Sequence, residues 1–209
     1  RWSRGLGDVY KRQIHDRTYA TRIYRVDGGL LFRGAVRDQK PPGLYIECDP
    51  DPLDIHHMVI ELEVAVPELT ITAVRLDFET HPHQACPSIT AAYDQLVGLS
   101  IARGFTHRVR ELFGGPRGCT HVVALLQALA PAVVQATWSL ALMDQRRTQP
   151  GESADGLRAG KLAANVNTCH VWAEESEHVA AIRAGEPPRP PIPVTERLVE
   201  LGRDPGEPF

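Results

Sequence analysis

Met58-Val-Ile-Glu-Leu-Glu-Val-Ala-Val66 alternates with a period of two: Met58, Ile60, Leu62, Val64 and Val66 share one face, Glu61 and Glu63 the other. That is the pattern of a half-buried antiparallel strand. Pro67-Glu68 turns the chain into a second strand, Leu69 to Thr80. Its apolar positions begin as Leu69, Ile71 and Ala73 and continue as Val74, Leu76 and Phe78, a change of phase that predicts a bulge near Ala73. Upstream, Arg17 to Val26 is rich in β-formers, Asp27-Gly28-Gly29 is a hairpin signal, and Leu30 to Val36 is a further strand. Between them, Pro41, Pro42, Gly43, Pro50 and Pro52 make 41–54 a connection.

Downstream the period changes. Ser88 is the expected N-cap of a helix whose stripe is Ile89, Ala92, Tyr93, Leu96 and Val97, ended by Gly98. A shorter helix covers Phe105 to Phe113 and stops at Gly114-Gly115. A long one starts near Cys119, carries Val122, Leu125, Leu126, Leu129, Val133, Ala136, Leu140 and Met143, and is expected to kink at Pro131. Residues 148–160 read as a loop, and Thr168 to Trp172 with Glu177 to Ile182 as a final hairpin. A tail with seven prolines follows from Gly185, with one short helix over Val194 to Leu201. The expected class is α+β: an antiparallel sheet with helices packed on one face.

The chain opens with Arg1 rather than Met, and Asp8-Val-Tyr-Lys-Arg-Gln13 resembles translated adapter sequence. Residues 1–13 are therefore read as a non-native leader, 14–183 as a single domain and 184–209 as a Pro-rich tail. A net charge of -3 argues against a nucleic-acid partner. No run of about 18–20 apolar residues suggests a membrane span. Four scattered cysteines without a CxxC pair suit reduced thiols in a bacterial cytoplasm.

The sharpest chemical signal is Gly114-Gly-Pro-Arg-Gly-Cys-Thr-His121, placed just before the long helix. A cysteine at a helix N-terminus feels the positive end of the macrodipole, which favours thiolate. Cys119 and His121 are two apart, near enough to share a proton or a ligand, and are the candidate catalytic pair. His56-His57 opens the strand of Met58; because neighbours on a strand face opposite ways, one of the two can enter a shared site. Pro82 and Pro87 stiffen the segment that holds His83 and Cys86. His56, Cys86, Cys119 and His121 form a candidate metal set if the fold gathers them, with Zn or Fe as the ion. His15 and Arg17 share a strand face and are candidate substrate-binding residues, an arginine fork suiting an acidic group.

The order of landmarks is similar to a bacterial family known as domain of unknown function 2889. The matching pieces are His15-x-Arg17, Asp27-Gly28, Asp38-x-Lys40, His56-His57-Met58, Cys86, Leu96-Val-Gly98, Gly118-Cys-Thr-His121 and Thr168-Cys-His170. That resemblance implies no reaction. The layout from Met58 to Val134 also resembles the iron–sulfur cluster scaffold and sulfur-transfer proteins, in which cysteines before two helices converge on one exposed site. Here His56 and His121 would replace missing ligands. Gly118-Cys-Thr-His121 occurs in glutamate racemases too, but the α/β repeat of those enzymes is absent.

Three functional expectations follow. The first is a thiolate/imidazole site that binds a metal or handles sulfur. The second is a metal-free small-molecule enzyme (a lyase, isomerase or hydrolase) with Cys119 or His121 as nucleophile or base. The third is an accessory protein that docks a partner through its Pro-rich tail.

Overall fold

A computed structural model describes residues 12–148, 165–186 and 190–205. The chain divides into two compact units, Arg1–Thr137 and Trp138–Phe209. In the first, β1 (Asp16–Val26), β2 (Gly29–Lys40), β3 (Leu53–Ala65) and β4 (Thr70–Thr80) form one antiparallel sheet in the order β1-β2-β3-β4. A 3-10 helix (Cys86–Leu96), α1 (Phe105–Phe113) and α2 (Thr120–Thr148) follow. The expected α+β class is what the structure shows.

The even-numbered residues of the central strands make the buried face. Leu30, Phe32 and Val36 of β2 lie beside Met58, Ile60, Leu62 and Val64 of β3, each no more than 3% exposed. The opposite face is polar where Arg33, Glu61 and Arg75 pair across three strands. The β3–β4 register slips between Glu63 and Val64, leaving Thr72 as the extra residue beside the Ala73 phase change. Val122, Leu125, Leu126, Leu129 and Val133 form the buried stripe of α2. That stripe lies on the sheet: a Cβ on Gly34 would stand 2.9 Å from the Leu129 side chain. Tyr93, Leu96, Ile101, Phe105, Val109 and Phe113 complete the core.

Several boundaries move. β3 begins at Leu53, so His56 and His57 lie inside the strand rather than at its opening, and the connection shortens to 41–52. The segment behind Ser88 is a 3-10 helix that starts at Cys86, and α2 passes Pro131 without interruption. By length and hydropathy α2 is able to cross a membrane, but the stripe of its first half is taken up by the sheet. Most of the expected loop at 148–160 lies outside the described residues.

In the second unit the expected late hairpin is replaced by a short 3-10 turn (His170–Trp172) and α3 (Glu177–Arg183). Ser176 caps α3 by accepting the Val179 N–H at 3.2 Å. Val179 and Ile182 are three apart, a helical spacing that the two-residue reading overlooked. The helix expected in the tail is α4 (Ile192–Glu200).

Candidate metal and thiol site

The site begins with a carboxylate where an apolar side chain belongs. Leu30, Phe32, Gly34 and Val36 occupy the buried row of β2, and the next position in phase is Asp38, 1% exposed. A charge there requires partners. The strand register supplies two: Arg17 of β1 and His56 of β3 lie directly opposite Asp38, so the three form one cross-strand row. Just past that row the β2–β3 register shifts, with Ile55 unpaired, at the rim of the sheet.

Arg17 grips the carboxylate side-on, Nε donating to Oδ1 at 2.5 Å and Nη2 to Oδ2 at 2.6 Å. His56 Nδ1 stands 3.2 Å from Oδ2, and His121 Nε2 approaches the same oxygen at 3.0 Å from the first turn of α2. The two imidazoles stack, centroids 3.9 Å apart and planes 29° from parallel. His15 Nε2 lies 3.6 Å from Oδ1, and its Nδ1 receives a hydrogen bond from Lys40 Nζ at 3.1 Å. On the far side of His121, Nδ1 is 3.8 Å from Cys119 Sγ.

The start of α2 is held from below. The Cys119 carbonyl accepts the Val123 N–H at 3.0 Å, making Cys119 the N-cap. Its own N–H donates to the Tyr93 hydroxyl at 2.9 Å, and the Tyr93 ring stacks on Phe113, 4.4 Å between centroids. The turn before it needs glycine: a Cβ on Gly118 would be 2.5 Å from the Phe113 carbonyl oxygen. Burial pushes the Tyr93 hydroxyl up to about 12, so it stays a neutral hydrogen-bonding strut.

Electrostatics set the protonation states. Burial pushes the Asp38 carboxyl up, but the Arg17 hydrogen bonds and charge outweigh it and hold the group at about 2. Arg17 is raised by the same contact. Burial pushes His56 below its ordinary value despite Asp38. His121 is lowered by burial first and by His56 second. An ionised carboxylate between neutral imidazoles is the state that binds cations most readily.

Of the residues singled out from sequence, the structure gathers His15, Arg17, His56 and His121 around Asp38 and sets Cys119 beside His121. Cys86 opens the 3-10 helix and is not in the group of ligand atoms. His57 turns to the other face and pairs with Glu79 at 2.8 Å. Asp38 and Tyr93 were missed as site residues. The signal for Asp38 was its phase, an acid in line with a strand's buried apolar positions. Tyr93 looked like one more residue of an apolar stripe.

No curated protein matches this chain. No solved structure matches either, so the similarity to iron–sulfur scaffold proteins expected from residue order is not shown. A family model described as "Protein of unknown function (DUF2889)" matches residues 11–135, more than half of the chain. The chain belongs to that family, and the matched span holds every side chain gathered around Asp38.

Proposed function

We propose that Asp38, His56 and His121 are the protein ligands of a divalent metal ion, Zn or Fe, in a site that acts on a small molecule. One observation carries this reading: a ligand atom from each of the three lies within 4.8 Å of the others. The two carboxylate–imidazole edges measure 3.0 and 3.2 Å. Metal bonds of roughly 2.1 Å set at right angles place neighbouring ligand atoms about 3.0 Å apart. Two imidazoles and one carboxylate are the donor set of non-haem iron sites with open positions. Three ligands leave room for water or substrate, where structural zinc sites are closed by four. Arg17 fixes the carboxylate from behind, as hydrogen-bonded partners of metal ligands do. Because the rings stack at 3.9 Å, metal entry spreads them apart.

The test strips the full chain with chelator and titrates it with Zn2+, or with Fe2+ without oxygen, by calorimetry and elemental analysis. One ion per chain is expected, lost in His56→Ala and His121→Ala variants whose circular dichroism is unchanged. An unaltered stoichiometry in both variants, or no binding by the parent chain, removes the reading.

A second reading draws on Cys119. Its sulfur sits at a helix N-cap, 3.8 Å from His121 Nδ1, while His121 Nε2 faces Asp38. Thiol, imidazole and carboxylate in that order are the parts of a nucleophilic relay. It predicts that in metal-free protein Cys119 reacts with iodoacetamide near neutral pH faster than the exposed Cys48 and Cys169. Slower or equal reaction counts against it.

A further inference from the structure

Beside the candidate metal ligands lies Lys40, a cation that forms no ion pair among the described residues. It ends β2 two residues beyond Asp38, on the same side of the strand. Its one described contact is the 3.1 Å hydrogen bond to His15 Nδ1. Arg17, by contrast, is matched by Asp38. The acidic side chains of the 41–52 connection, Glu47, Asp49 and Asp51, form no ion pair with Lys40 or Arg17. Arg17, Lys40 and Asp38 together carry one net positive charge. A divalent ion raises that to three. Such a charge in a partly desolvated site attracts an anion strongly.

The same end of the sheet carries exposed apolar surface. The connection between Lys40 and Leu53 presents Leu44, Tyr45 and Ile46 in succession, 43, 63 and 58% exposed. Its two ends lie two residues beyond Asp38 and three before His56. Three adjacent exposed hydrophobic side chains in the connection that joins the strands of Asp38 and His56 suit a ligand with a carbon skeleton. A bare inorganic anion gains nothing from them.

Resting on the metal reading above, we infer that the site takes an organic carboxylate. Its acid group enters an open metal position beside Lys40, and its apolar arm lies along Leu44–Ile46. Metal and acid are then linked, each tightening the other by the same factor.

The experiment uses the full chain and Co2+, whose visible spectrum reports its coordination. Its affinity is measured alone and with 3-phenylpropionate, acetate or inorganic phosphate. The expected result is a roughly tenfold tightening of Co2+ by 3-phenylpropionate, within the usual range of coupling between sites, and a smaller effect of acetate. Lys40→Met should abolish the coupling while binding Co2+ alone slightly more tightly, because a repelling charge is gone. Lys40→Arg should keep the coupling. Tyr45→Ser should bring 3-phenylpropionate down to the level of acetate. If Co2+ binds equally well with and without every acid, or if phosphate alone tightens it, the inference is overturned and the metal site stands. If the parent chain binds no Co2+, both fall.

Discussion

The Arg17–Asp38 pair holds a definite share of the domain's stability. The Asp38 carboxyl is displaced from 3.8 to about 2. At about 1.4 kcal/mol per pKa unit, that corresponds to roughly 2 kcal/mol at neutral pH. Asp38 is almost fully enclosed, but the Arg17 side chain is 37% exposed, so solvent screens part of the attraction. A coupling of about 1–2 kcal/mol is expected. The folded carboxyl titrates below the unfolded one, so the stabilisation is complete above about pH 4 and is lost as the pH falls toward 2. At pH 3 roughly half remains. Urea unfolding of the parent, Arg17→Met, Asp38→Asn and the double variant, all with chelator, gives the coupling free energy by a double-mutant cycle at pH 7 and pH 3. Single effects that simply add at pH 7, or a coupling that does not weaken at pH 3, would refute the pairing as the source of the displacement.

Three further outcomes are expected. Gly34→Val should cost about 1–3 kcal/mol by overpacking, since a Cβ there meets Leu129 at 2.9 Å, and the added Leu129→Ala change should recover part of that loss in urea melts. Tyr93→Phe leaves the Cys119 N–H without its acceptor and should cost about 1–2 kcal/mol, with weaker Zn2+ binding because the first turn of α2 loses its strut. Burial holds His56 and His121 below the ordinary 6.5. Protons therefore compete late, and Zn2+ affinity by calorimetry should change little between pH 8 and 6.5 and decline below that.

The sheet was legible because its strands obey a single rule. Alternation around Met58–Val66 gave the core face, and the phase change near Ala73 located a real register shift. The later hairpin failed because Val179 and Ile182 sit in a segment too short for period two and period three to separate without the Ser176 cap. At the site, half the geometry was within reach. Asp27-Gly28 is a two-residue turn, with Gly28 at φ 84, and pairing back residue by residue from it puts Arg17 against Asp38. The β2–β3 connection fixes no such register, because twelve residues can close in many ways, so the place of His56 opposite Asp38 had to come from the fold. The approach of His121 depends on how α2 docks, and that is set by Leu129 over Gly34, far from the chemistry. Cys86 attracted notice by residue type, yet nothing in its sequence surroundings aimed it at the other ligands.

The hub's four principal side chains come from β1, β2, β3 and the first turn of α2, with Arg17 and His121 at opposite ends of the series. An ion seated among them would therefore act as a clasp between sheet and helix. Its escape would wait on the two layers parting rather than on one ring swinging aside, so slow release and protection of the central amides from hydrogen exchange would rise and fall together.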